Sequence, residues 1–186
     1  MIILRSEREI AKLRASNRLV AEVLNEVKKT IKVGITTKEL NDLADSLIRE
    51  RGAIPAFKGY RGYPMTLCTS VNEEVVDGIP SNHKLKEGDV VSLDLGSIYQ
   101  GYYGDAAVTV GVGDISPEAK ELLEVTEHAL YIGIEEAREG NYLSDISYAI
   151  QSFVESFGFS VVRAFVGHGI GTSLHEDPQV PNFGTP

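Results

Sequence analysis

Residues 88–110 read GDVVSLDLGSIYQGYYGDAAVTV, and the fold turns on how this stretch pairs with itself. From Val90 to Leu95 the side chains alternate, with Val91, Leu93 and Leu95 on one side and Val90, Ser92 and Asp94 on the other. That period of two marks a strand with one apolar face. Tyr103–Val110, rich in β-branched and aromatic residues, makes a second strand, and Gly96 and Gly101 bracket the connection, so the two form a hairpin. A turn centred on Tyr99 and Gln100 sets Ile98 opposite Gly101 and Asp94 opposite Asp105. Opposed residues share a face with Cβ atoms roughly 4.5–5.5 Å apart, where like charges destabilise. Two carboxylates so placed call for a shared proton, or for one or two divalent cations. The alternative is a bulge at Gly101 or Gly104 that turns one Asp to solvent.

Length and charge bound what such a hairpin can serve. The chain has 186 residues, enough for one domain with a substantial core. A net charge of −9 and no long basic run argue against direct nucleic-acid binding, whereas acidity helps attract a cation or a free amino group. Cys68 is the single cysteine, which rules out an internal disulfide. The opening MIILRSEREI does not resemble a signal peptide, and no apolar run reaches membrane-spanning length. The expectation is a cytoplasmic protein with no membrane partner.

On either side of the hairpin the elements repeat in order. Ser6–Thr30 is a helix opened by a Ser6–Glu9 capping box, with a stripe of Ile10, Leu13, Asn17, Val20, Leu24 and Val27. A second helix starts at Thr37, carries Leu40, Leu43, Leu47 and Ile48, and stops at Gly52. Residues 53–64, AIPAFKGYRGYP, form a loop dense in aromatics, and Thr66–Val71 is a strand. After the hairpin, Ser116-Pro117 opens a helix with Leu122, Val125, Ala129, Ile132 and Glu136 on its stripe. Ser144 caps another, with Ile146, Ile150, Phe153, Val154 and Phe157, followed by a strand over Ser160–Val166. The order suggests an α+β fold built from two helix-helix-strand units, about 1–112 and 116–186, within one domain. The second lacks a counterpart of the hairpin, so its sheet is expected to keep an open edge and the chain to be incomplete.

Further candidate residues lie in the loops. His168, between Gly167 and Gly169 just after the last strand, is a candidate third ligand; carboxylate and imidazole together suit Zn, Mn, Fe or Co. The competing assignment is a solvated loop histidine. His175 can be a ligand, a proton shuttle or a hydrogen-bond donor to a substrate carbonyl, against a plain turn residue paired with Glu176 or Asp177. Phe57, Tyr60, Tyr63 and Cys68 suit an apolar pocket for an unbranched side chain, with ordinary core beneath a loop as the alternative. Cys68 has no nearby His to activate it as a nucleophile. Asn72 reads as a turn former, Glu73, Glu74 and Asp77 as a solvated edge, and His83 as a surface residue.

Three motifs, GYRGYPMTLCTSVNEEVVDGIP, DLGSIYQGYYGDAAVT and GHGIGTSLHEDPQVPNFG, resemble those of type I methionine aminopeptidases, cytosolic enzymes of the pita-bread fold, and the resemblance spans the chain. It implies a curved antiparallel sheet and removal of the initiator methionine from nascent peptides, with the ribosome a candidate place of encounter. Asp94, Asp105 and His168 fall on metal ligands, for two ions in the family. His175 falls on a His that contacts substrate near the scissile bond, and Phe57, Tyr60, Tyr63 and Cys68 on or beside the methionine pocket. Two departures stand out. Asp77 occupies the position of a His thought to assist proton transfer, and an Asp presents no neutral N–H donor. Two further glutamate ligands implied by the resemblance have no counterpart up to Pro186, so little or no turnover is expected of the chain as it stands. The rival functions are an X-Pro-specific peptidase of the same fold and a non-catalytic homologue.

Overall fold

The computed structural model describes residues 1–186. Two compact units make up the chain. The larger comprises Ile3–Ser116 with Ile170–His175; the smaller comprises Met1–Ile2, Pro117–Gly169 and Glu176–Pro186.

In the larger unit α1 (Glu7–Thr30) and α2 (Thr37–Glu50) begin with capping boxes, Ser6 with Glu9 and Thr36 with Glu39. Each box satisfies backbone N–H groups that the first turn leaves without partners. Strand β3 (Val90–Tyr99) is the hub of a four-stranded sheet. Along one edge it pairs antiparallel with β4 (Tyr102–Gly111), and it also pairs antiparallel with β2 (Leu67–Val71) and with the short β1 (Ile54–Pro55). The expected alternation holds: Val91, Leu93 and Leu95 are fully buried with Leu67, Val20, Val23, Leu40 and Ile48. The opposite face carries Cys68, Ser92, Asp94 and Asp105, as pleating requires.

The α1 stripe is rotated from its expected position. Its buried residues are Ser16, Leu19, Val20, Val23, Leu24 and Val27, while Ile10 is 43% exposed. A small polar residue, Ser16, takes a core position because α1 approaches the hairpin closely there, as the site geometry below shows.

α2 anchors the entry to β2. Buried Asn41 accepts the N–H groups of Thr66 and Leu67 at 2.9 and 3.2 Å, and Asp45 accepts the Thr66 hydroxyl at 2.6 Å. Arg49 donates to the same carboxylate at 2.6 Å. This bond first, then the one from Thr66, holds Asp45 at about 2, well below the usual carboxylate range.

In the smaller unit α3 (Pro117–Glu136) and α4 (Leu143–Ser156) pack through Val125, Ala129 and Val154, with Ile150 and Phe153 beside them. A Cβ at Gly133 would lie 2.7 Å from the Ile150 side chain, so glycine permits the close crossing. The cap of α4 is Tyr142 rather than Ser144, because the Asp145 carboxylate accepts the Tyr142 backbone N–H at 2.6 Å. Leu122 and Phe157, expected on buried stripes, are exposed. No strand forms over 160–166, where Val162 and Phe165 are 48% and 52% exposed. β-branched residues form a strand only beside a pairing partner, and this stretch has none. The strands here are β5 (Gly167–Gly169) and β6 (Glu176–Val180), paired antiparallel. No helix is long and apolar enough to cross a membrane.

Asp45 gives a pH test. Its folded value lies below the unfolded one, near 3.9, so its contribution is present above about pH 4 and lost as pH falls toward 2. Asp45→Asn should lower the melting temperature at pH 7 by an amount equivalent to about 1 kcal/mol. Between pH 4 and pH 2 that gap to wild type should narrow; calorimetry across the range checks it.

Candidate active site

Gln100 and Gly101, with φ of 53° and 81°, form the hairpin turn. Both values lie in the left-handed region, as a two-residue type I′ turn demands, and Gly occupies the second position where that turn favours it. The turn therefore sits one residue later than expected. Asp94 pairs with Ala107 and Asp105 with Gly96, which corrects the expected direct opposition of the two acids. The ladder runs unbroken from Val90–Gly111 to Tyr99–Tyr102, so no bulge turns either Asp away. A register change of two residues keeps both carboxylates on the same face, now as diagonal neighbours.

The Asp94 carboxyl is buried, and its Oδ1 has no hydrogen-bond partner. Burial first, then the adjacent Asp105 carboxylate and the charge of Asp77, push Asp94 well above the ordinary carboxylate range. An unsatisfied buried acceptor costs roughly 1–3 kcal/mol. A divalent cation would give that oxygen a partner and cancel the repulsion, so the residues present fit a metal ion.

The backbone beneath Asp105 is tied down by α1. Asn17 Oδ1 accepts the Asp105 N–H at 3.2 Å, while Asn17 Nδ2 donates to the Leu13 carbonyl at 2.9 Å. The hydroxyls of buried Ser16 and Ser97 meet at 3.0 Å. Gly104 makes the approach possible: a Cβ there would sit 2.7 Å from the Ser16 carbonyl. Ser16 and Asn17 were not recognisable as site residues in the sequence. The only signal was an amide inside an apolar helical stripe.

On the same face Phe57, Cys68, Ala56 and Leu174 form a buried cluster with Tyr60, Tyr63, Ile98, Tyr103 and Ile170 packed against it. All four expected pocket residues are thus together; Ile170 and Leu174, from the glycine-rich segment, were missed. Tyr63 donates to the carbonyls of Leu67 and Gly78 at 3.0 and 3.1 Å. Burial pushes the Cys68 thiol up to about 12, with the Asp94 charge adding to it, which agrees with its exclusion as a nucleophile. Asp77, exposed with φ of 59°, is close enough for its charge to raise Tyr63, Cys68 and Asp94. The Nδ1 of His175 lies 2.9 Å from the Tyr60 hydroxyl, and the two rings stack.

His168 belongs to the smaller unit and sits inside β5, opposite Gln179, rather than in a turn. Its Nδ1 lies 2.9 Å from the Gly169 carbonyl oxygen. A carbonyl only accepts, so Nδ1 carries the proton and Nε2 the lone pair, the arrangement that metal-ligating imidazoles adopt. No group of three or more His, Cys, Asp or Glu side chains gathers to hold an ion; the Asp94–Asp105 pair stands within the larger unit, and His168 outside it.

Residues 11–186 match metallopeptidase family M24, and the chain belongs to that family. Its relatives there are methionine aminopeptidases. That of Clostridium acetobutylicum is 52% identical, and methionine aminopeptidase 1 of Bacillus subtilis 53%; each match covers 100% of this chain and 75% of the relative. The crystal structure of the Thermotoga maritima methionine aminopeptidase superposes with a TM-score of 0.97 at 48% identity, covering 100% of this chain and 75% of that one. The fold is the α+β pita-bread fold of this family.

The acid pair predicts how the metal-free protein responds to pH. Because the folded Asp94 value is raised, the cost of burying it grows as pH rises from about 4. In chelator, Asp94→Asn should raise the melting temperature at pH 8 and change it little at pH 3. Gly104→Ala should destabilise by roughly 1–3 kcal/mol by forcing α1 off the hairpin. Thermal melts of both variants test these outcomes.

Proposed function

We propose that this chain is a metal-dependent methionine aminopeptidase, acting in the cytoplasm on nascent polypeptides whose second residue is small. The observation that carries this is the Asp94–Asp105 pair, with the buried, unpartnered Asp94 oxygen, on the same sheet face as the Phe57–Cys68–Leu174 cluster. Asp94 and Asp105 would hold one or two divalent ions of the Co, Mn, Fe or Zn type, and the Nε2 lone pair of His168 suits it as a donor to such an ion. Such an ion supplies a Lewis acid for hydrolysis of the first peptide bond. The protein's own residues do the rest. Phe57, Tyr60, Tyr63 and Cys68 enclose the unbranched thioether chain, where polarizable sulfur and aromatic edges attract. His175 donates a hydrogen bond to the carbonyl oxygen as it gains negative charge. The surplus of acidic groups draws in the peptide's free ammonium group. Asp77 adds a carboxylate where an imidazole donor would serve the reaction better. Relatives near half identity carry the methionine aminopeptidase name, which favours this specificity over an X-Pro one.

Metal and peptide experiments separate the readings. At 100 times its Kd, Mn or Co should stabilise the wild-type protein by about 2.7 kcal/mol and leave Asp94→Asn and Asp105→Asn unmoved. A non-catalytic homologue that has shed its ions would show no such difference. In a panel of peptides turnover should be low, with Met released from Met-Ala-Ser ahead of any residue preceding proline, and Asp77→His should raise that rate. Preference for X-Pro peptides would overturn the assignment.

A further inference from the structure

Tyr60 and His175 come from segments more than a hundred residues apart, and each is held independently. Around Tyr60 the backbone is a closed turn: Gly59 donates to the Tyr63 carbonyl at 2.7 Å, Tyr60 to Phe57 at 2.9 Å and Tyr63 to Tyr60 at 2.9 Å. Gly59, Arg61 and Gly62 adopt φ of 88°, 47° and 86°, so left-handed residues flank Tyr60 on both sides. The Arg61 guanidinium lies 5.4 Å from the Tyr60 ring centroid. On the other side, buried Leu174 anchors His175, and the Gly171 carbonyl accepts the Tyr103 N–H at 2.8 Å. The rings stack at 5.5 Å and 23°, with the phenol oxygen 2.9 Å from Nδ1.

We propose that Tyr60 is a positioning residue whose hydroxyl donates to Nδ1 of His175, fixing the imidazole as the tautomer that carries its proton on Nε2. A neutral imidazole has one donor and one acceptor nitrogen, so a partner on one decides the role of the other. With Nδ1 accepting, Nε2–H becomes the donor presented to a substrate carbonyl. This deepens the role given to His175 above and rests on that reading for its catalytic meaning. The bond itself stands on the 2.9 Å separation, and its direction is what the proposal adds: the phenol proton needs an acceptor, which an unprotonated Nδ1 supplies.

Imidazole nitrogen NMR of the 15N-labelled full chain at pH 8 reads the tautomer directly, with the His175 signals assigned by their loss in His175→Gln. The expected result is Nε2–H in the wild type and a lower Nε2–H share in Tyr60→Phe, which keeps the ring and deletes the hydroxyl. Tyr60→Leu should behave alike. A wild-type Nδ1–H signal, or populations unchanged in both variants, overturns the proposal. In the Met-Ala-Ser assay Tyr60→Phe should lower kcat roughly tenfold with KM little changed, and cost nothing further in a His175→Gln background. A preference for X-Pro peptides would sink the functional reading, whereas the NMR result decides the tautomer whatever the turnover of the wild type.

Discussion

Two acids set side by side on one face of a sheet, one of them with a buried oxygen, are the constraint to which the larger unit is fitted. Asp94 and Asp105 share one face of a two-stranded ladder, with an Asp94 oxygen that no protein group satisfies. Nothing in hydrophobic packing favours such an arrangement, and the repulsion is tolerated because surrounding parts over-determine it. α1 ties the Asp105 backbone through Asn17. The opposite face of the same strands is sealed by fully buried Val91, Leu93 and Leu95. A sheet so firmly glued on one side can carry strain on the other.

Much of this was legible in the residues. Period-two alternation from Val90 to Leu95 gave the strand and its inner face, and the capping box at Ser6 gave the start of α1. The hairpin was visible, but its register was not, because Tyr99–Gln100 and Gln100–Gly101 both read as turns. Only the backbone's left-handed pair at Gln100 and Gly101 decides between them. Ser160–Val166 looked like a strand by composition, yet pairing is a property of two segments and one segment cannot reveal it. The contributions of Ser16, Asn17 and Gly104 were hidden for a related reason: each matters through how near α1 comes to the hairpin, and that is a tertiary distance. The Phe57, Tyr60, Tyr63 and Cys68 group was legible because aromatics crowded a short loop, whereas Ile170 and Leu174 arrive from a segment with no such crowding.

Polar and apolar chemistry meet on one surface here. Cys68 pairs directly across from Asp94 in the ladder, so the thiol lines the cluster while the acid stands beside it. Gly96 keeps that junction open, since a Cβ there would lie 2.5 Å from the Phe57 ring. The same crowding that shuts water away from the thiol lies beside the buried Asp94 oxygen, which links the apolar floor to the electrostatics of the acid.

The tip formed by Gln100 and Gly101 lies far along the strands from Asp94, yet it acts as a phase setter for the whole ribbon. Lengthening the loop by a single amino acid while the strands re-zip out of step would swing Asp105 into the greasy seam beneath α1 and bring Gly104 up in its place. Adding two would slide the acids past one another without inverting them. The length of this loop therefore matters by even and odd, and a solvent-facing bend with no chemistry of its own decides which side chains reach the site face.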